Sequence, residues 1–149
     1  MTTAAPTVDG RVIALAHYAG RGILESVLVG YGVTFQQSVT LRLVAVADEP
    51  VPRDRLVGQV VDSLKVEEAE IRDVVEKLVA AGLVETDPAQ ASRLRITDSG
   101  RELYARSAAE TAPISARIYA GIPAEDLAAA GRVLTLVTER ANAELAALK

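Results

Sequence analysis

Apolar residues recur at helical spacing along most of the chain. A single short stretch near residue 94 switches to two-residue alternation, and aromatic residues are nearly absent. Together these predict a mainly α fold: a winged helix-turn-helix with a two-stranded β wing, flanked by N- and C-terminal dimerisation helices. Half of the 149 residues are hydrophobic but only 3% are aromatic. The core must therefore come from Leu, Val, Ile and Ala, which suits packed helices. The length fits one domain over 1–149, with the winged helix-turn-helix at 34–97 and the dimerisation helices at 9–33 and 98–149.

Each element has its own signal. From Val12 to Val33, Ile13, Ala16, Gly20, Ile23 and Val27 recur at helical spacing, and the helix ends near Gly30–Gly32. Thr34 and Gln37 form a T-x-x-Q capping box that opens a second helix, with Val39, Leu43 and Val46 expected inward. A short third helix follows Pro52, with Leu56, Val60 and Val61 inward. The fourth runs from about Glu67 to Ala81 on a stripe of Ile71, Val74, Val75, Leu78 and Val79, and Gly82 ends it. Leu83-Val84 and Ser92 to Thr97 then read as a hairpin, with Leu94 and Ile96 on one face and Arg93 and Arg95 on the other. Thr97 caps a fifth helix that Pro113 is expected to bend or break. Pro123 opens a last helix through Leu127, Val133, Leu134, Val137 and Leu145. No further domain is left to cover the first and last helices, so a second copy of the chain is their expected partner, as a homodimer.

Composition narrows the chemistry. There are no cysteines, which excludes disulfides, thiol catalysis and cysteine-ligated zinc. With one histidine, no metal site is expected, and no cofactor is expected either. Met1 to Gly10 has no signal-peptide pattern, and no stretch is expected to reach the roughly 18 apolar residues of a membrane span. No membrane association and a cytoplasmic location are therefore expected.

The run Leu78-Val79-Ala80-Ala81-Gly82-Leu83-Val84, a hairpin, and then Leu94-Arg95-Ile96-Thr97-Asp98-Ser99-Gly100 resembles the MarR-type regulators. In that family a helix ends L-x-x-x-G-L-V and the wing ends L-T-x-x-G. The resemblance covers nearly the whole chain. It implies a homodimer whose fourth helices enter successive major grooves of double-stranded DNA, with the wings on the flanking minor groove. It also implies a small organic ligand, held between the dimer helices and the winged part, that releases DNA.

The sequence departs from that family where the contacts should be. The recognition helix begins Val66-Glu67-Glu68-Ala69-Glu70-Ile71-Arg72-Asp73, with three glutamates where small polar and basic residues are usual. Residues 52–97 hold seven basic and nine acidic groups, a net of −2, which is half of the chain's −4. Phosphate neutralisation dominates DNA affinity, so this balance works against binding. The expected DNA contacts are Arg72, Arg93, Arg95 and Lys65, with Glu68 able to read a cytosine amino group. Set against this, acids in a first turn also serve the helix dipole alone, and two wing arginines can simply be solvated.

His17, Arg21 and Glu25 stand at i, i+4 and i+8 of the first helix and share a face. With Tyr18 and Tyr31 they form the candidate ligand-binding set; the plain alternative is a solvated, ion-paired stripe. No catalytic residues are assigned, since no G-x-S-x-G elbow is present. Three readings follow. The first is a ligand-responsive DNA-binding transcriptional regulator. The second is a homologue that has lost DNA binding and serves as a small-molecule binder or cofactor-independent enzyme working through His17, Arg21 and Glu25. The third is a winged helix that binds a protein through its acidic helix.

Overall fold

Asp9 accepts a hydrogen bond from the Val12 amide at 2.8 Å and starts helix α1, Gly10–Leu28. A 3-10 turn, Val29–Tyr31, follows, and Gly32 takes φ 68° to release the chain. The computed structural model describes residues 4–149. Thr34 and Gln37 make the expected reciprocal capping box on α2, Phe35–Ala45. The remaining elements are β1 (Val51–Pro52), α3 (Arg53–Leu64), α4 (Glu68–Ala80), β2 (Val84–Thr86), β3 (Arg93–Ile96), α5 (Asp98–Tyr119) and α6 (Ala124–Ala147).

The chain forms two compact units, Met1–Ala112 and Pro113–Lys149. The first holds a single hydrophobic core. Leu41 and Val44 of α2, Leu56, Val57 and Val60 of α3, and Ile71, Val74, Val75 and Leu78 of α4 meet beneath Leu83, Val84 and Leu94. The second carries α6, opened by Pro123 with Glu125 and Asp126 in its first turn. No residue of α6 is buried, and Leu127, Val133, Leu134, Leu136, Val137 and Leu145 stand exposed along it.

Four expectations need correction. The wing sheet has three antiparallel strands in the order β1-β3-β2, because Val51 and Pro52 pair with Leu94 and Arg93; two residues are too short a run to show alternation. On α2 Val39 and Leu43 pack against the core as expected, but the fully buried residues are Thr40, Leu41 and Val44, and Val46 is 58% exposed. Apolar residues lie nearly all round that helix, so periodicity alone does not choose its inner face. Helix α5 continues through Pro113 to Tyr119; the proline removes one N–H, and the compact units divide at that point. Finally, Gly10–Tyr31 is long and apolar enough to cross a membrane, with a mean hydropathy of 1.4 over its best window. Its Val, Ile, Leu and Ala raise that average around the Arg21–Glu25 ion pair, and placing such charges in hydrocarbon costs about 3 kcal/mol each.

The joint between α4, the sheet and α5 is close-packed around Gly100. Gly82 takes φ 75° after α4, and the Leu83 amide bonds back to the Leu78 carbonyl at 3.0 Å. The Thr97 amide donates to the Leu83 carbonyl at 3.1 Å, and the Thr97 hydroxyl donates to the Gly82 carbonyl at 2.6 Å. The same hydroxyl accepts from the Gly100 amide at 3.0 Å, capping α5. A Cβ on buried Gly100 would lie 2.0 Å from the Leu83 oxygen. Gly100→Ala is expected to destabilise the fold by about 3 kcal/mol, the upper range of overpacking. Gly58→Ala, on the exposed side of α3 with open space around it, should stabilise by about 0.5–1 kcal/mol. Urea unfolding of the two variants checks both signs.

Candidate nucleic-acid interface and ligand recesses

The joint between α3 and α4 is set by Lys65, which holds a left-handed φ of 57°. Its amide bonds the Val61 carbonyl at 2.9 Å, ending α3, and its ammonium reaches the backbone oxygen of Asp62 and, at 3.6 Å, the Asp62 carboxylate. Helix α4 then starts at Glu68 and sinks Ile71, Val74, Val75 and Leu78 into the core. Everything else on it up to Lys77 is exposed.

The charges on this face are largely committed to one another. The Arg72 guanidinium contacts Glu68 at 2.9 Å and Asp54 of α3 at 3.3 Å. The hydrogen bond and charge of Glu68, followed by those of Asp54, hold its pKa above the ordinary arginine value. Glu70 accepts from the Gln36 amide of α2 at 2.8 Å, and Lys77 pairs with Asp73 at 2.9 Å. Glu67 sits at the N-terminus of α4 without a side-chain capping bond, where the helix dipole favours its charge.

On the wing, Leu94 is buried between Arg93 and Arg95, as strand alternation requires. Arg95 faces Glu85 in the β2–β3 register and bonds it at 2.7 Å. Arg93 donates to the Pro50 carbonyl at 3.2 Å. A carbonyl does not cancel its charge, so of Lys65, Arg72, Arg93 and Arg95, only Arg93 has no carboxylate partner among the described residues.

Two further cations were not singled out from the sequence. Arg53 and Arg55, in the first turn of α3, form no ion pair among the described residues. The Arg53 amide bonds the Ser92 carbonyl at 2.9 Å, which places the start of α3 beside Arg93. The signal that could have found them is positional: in a helix-turn-helix the first helix crosses the DNA backbone.

The candidate ligand residues divide between separate places. His17 and Arg21 line a recess of about 210 Å³ with Phe35, Gln36, Ser63 and Leu64. The Arg21 guanidinium lies 4.2 Å from the Phe35 ring centre, and His17 meets the same ring edge-on at 6.4 Å. Glu25 pairs with Arg21 at 3.1 Å. Tyr18 is 66% exposed and touches His17 at 5.9 Å between rings. Tyr31 belongs elsewhere, lining a recess of about 170 Å³ with Gln37, Lys77 and Leu103. A larger, more polar cleft of about 710 Å³ lies where Asp48, Glu49 and Glu85 face Arg95, Arg101 and the start of α5.

No protein-family model matches the sequence, and no curated protein matches it either. Solved structures do. The chain is similar to a MarR-family transcriptional regulator from Rhodococcus sp. RHA1, at 21% identity over 87% of this chain and 92% of that one, with a TM-score of 0.71. It is similar to CouR from Rhodococcus jostii RHA1, solved bound to p-coumaroyl-CoA, at 20% identity over 87% and 90%, with a TM-score of 0.71. A MarR-family regulator from Silicibacter pomeroyi aligns at 21% identity over 85% and 84%, with a TM-score of 0.66. The chain therefore has the winged helix-turn-helix fold of the MarR-family regulators.

One titration is predicted at these recesses. Desolvation, followed by the hydrogen bond and charge of Glu110, raises the Tyr31 phenol above the ordinary value of 10.0, with Arg106 opposing. The folded chain thus holds this proton more tightly than the unfolded chain. The resulting stabilisation is complete below about pH 10 and is lost as pH rises through the folded pKa. Unfolding midpoints taken from neutral to strongly alkaline pH should fall less steeply for Tyr31→Phe than for the natural chain. Equal slopes would show that Tyr31 is not the group responsible.

Proposed function

We propose that this chain is a MarR-like transcriptional regulator: a homodimer that binds double-stranded DNA and responds to a small organic ligand. The observation that carries the reading is α4, an exposed helix beside a wing, in a fold shared with regulators over most of both chains. The whole of 1–149 acts as one functional domain, with 34–97 engaging DNA. The N-terminal helix and the two C-terminal helices engage the second copy, a use suited to the exposed apolar residues of α6. Its place of work is the cytoplasm, with its DNA.

Arg93, Arg53 and Arg55 make the main phosphate contacts, since no carboxylate competes for them. Arg72, Lys65 and Arg95 contribute less, because Asp54, Glu68, Asp62 and Glu85 already occupy them. The recess beside His17 and Arg21 is the favoured ligand site. Its Phe35 ring, its His17 imidazole and its polar Gln36 suit a small molecule with an apolar, aromatic part, and an anionic group on it would compete with Glu25 for Arg21. The ligand-bound state of CouR is a precedent within the fold.

The occupied cations favour one competing reading: a scaffold that no longer binds DNA and keeps only the recess, as a small-molecule binder or cofactor-independent enzyme. Fluorescence anisotropy with labelled duplexes, including the chain's own upstream region, separates the two across a salt series. The regulator reading expects binding that weakens with salt. Arg93→Ala should weaken it most and lower the slope of log K against log salt by about 1, with Arg95→Ala weaker in effect. Asp54→Asn with Glu68→Gln should tighten binding and steepen that slope by about 0.9, as Arg72 becomes available to a phosphate. A folded dimer that binds no duplex at low salt, natural or doubly substituted, would refute the regulator reading. Ligand binding lost in His17→Ala would then favour the competing one.

A further inference from the structure

The acids of α4 do not all face the same way. Ile71, Val74, Val75 and Leu78 fix the buried direction. At 3.6 residues per turn, the opposite direction belongs to Ala69, Asp73 and Glu76, all of them exposed. Glu68 and Glu70 lie on the flanks and are bonded sideways. Glu68 holds Arg72, which leans to Asp54 of α3, and Glu70 accepts from Gln36 of α2. Asp73 stands on the outward line and is exposed. Lys77, one turn on, holds its Oδ2 at 2.9 Å, while Oδ1 accepts no hydrogen bond among the described residues.

We propose that Asp73 is the residue that selects a base, and that it accepts a hydrogen bond from a cytosine N4 amino group in the major groove. The inference rests on the DNA-binding reading above. A carboxylate can only accept, and the major-groove edge offers donors at two atoms alone, cytosine N4 and adenine N6. Adenine sets its acceptor N7 beside N6, where it repels a second carboxylate oxygen; cytosine has no acceptor on that edge. Guanine and thymine present acceptors to the same position and are rejected. Ala69, one turn earlier on the same line, is short enough to let the helix approach, and its methyl group matches that of thymine. Lys77 offsets the repulsion between Asp73 and the phosphates. Helix-turn-helix proteins read bases with the early residues of the helix. Asp73 is the sixth residue of α4, and Glu76 lies almost a turn beyond it.

The test is selection of bound sequences from a randomised duplex pool, using the full chain, Asp73→Ala and Asp73→Asn. The natural chain should enrich cytosine at one position of each half-site, by roughly tenfold over guanine or thymine. Asp73→Ala should erase that preference. Asp73→Asn should move it to adenine, whose N6 and N7 a carboxamide bonds together, with the other positions unchanged. The side chain is exposed, and thermal melts of both variants confirm folding. If the natural chain enriches a motif and both variants enrich the same motif equally, the role of Asp73 is refuted while the regulator reading stands. If the folded natural chain enriches nothing, both readings fall.

Discussion

Thr97 holds three segments at one point. Its amide and hydroxyl bond the carbonyls of Leu83 and Gly82, and the hydroxyl also takes the Gly100 amide. Gly82 has just left α4 through a positive φ, Leu83 leads into β2, and Gly100 is in the first turn of α5. The orientation of the wing against α4 therefore depends on a few hydrogen bonds and one missing side chain. Leu78, Leu83, Val84 and Leu94 form the core beside the joint, while the Thr97 hydroxyl bond to Gly82 stays open to solvent. The L-x-x-x-G-L-V and T-x-x-G patterns thereby acquire a physical meaning. The first glycine turns the chain, and the second lets α5 approach a backbone carbonyl that any Cβ would strike.

The ion pairs on the face of α4 have a different status. All are solvent-exposed, and such pairs contribute at most about 1 kcal/mol each. They do not hold the fold together, so their effect falls on what approaches. A cation already shared by two carboxylates, as Arg72 is, neutralises a phosphate only by giving up those partners, so it displaces fewer of the counterions condensed on DNA. The same weakness makes the pairs reversible. A duplex brings a dense line of phosphates able to compete with Glu68 and Asp54 for that guanidinium. Net charge over 52–97 thus misstates the interface, because what matters is which cations remain uncommitted.

The sequence made the helical order, the capping box, the α4 stripe and the α5 cap legible, because each rests on contacts within a few residues of chain. Strand β1 was not legible: its two residues become a strand only through pairing with β3, some 40 residues away. The inner face of α2 was hidden because Val39, Leu41, Leu43, Val44 and Val46 surround the helix. In the candidate ligand set, the i, i+4, i+8 stripe of His17, Arg21 and Glu25 is legible because all three lie on α1, whereas nearness in sequence does not place Tyr31. Tyr31 closes the 3-10 turn after α1 and lines another recess. The cations of α3, α4 and the wing were visible as residue types, but their partners were not. Arg72 meets Asp54 and Arg95 meets Glu85 only across elements.

On the proposed regulator reading, position accounts for how an acidic α4 could serve a winged helix-turn-helix that binds DNA. Phosphates line the rims of the major groove, and base edges form its floor. Arg53, Arg55 and Arg93 belong to the start of α3 and the wing, which a helix-turn-helix brings to the rims. Asp73 belongs to the outward line of α4, which it brings to the floor. Acids facing phosphates would only repel, whereas an acid facing the floor discriminates, because amino groups satisfy it and carbonyl or ring-nitrogen acceptors leave it desolvated and unpaired. Such a design loses affinity for most sequences and spends little on the few it fits. On the proposed reading, weak binding to arbitrary DNA and selective binding to one site would have a single cause: acids at the centre of the contact and uncommitted cations at its edges.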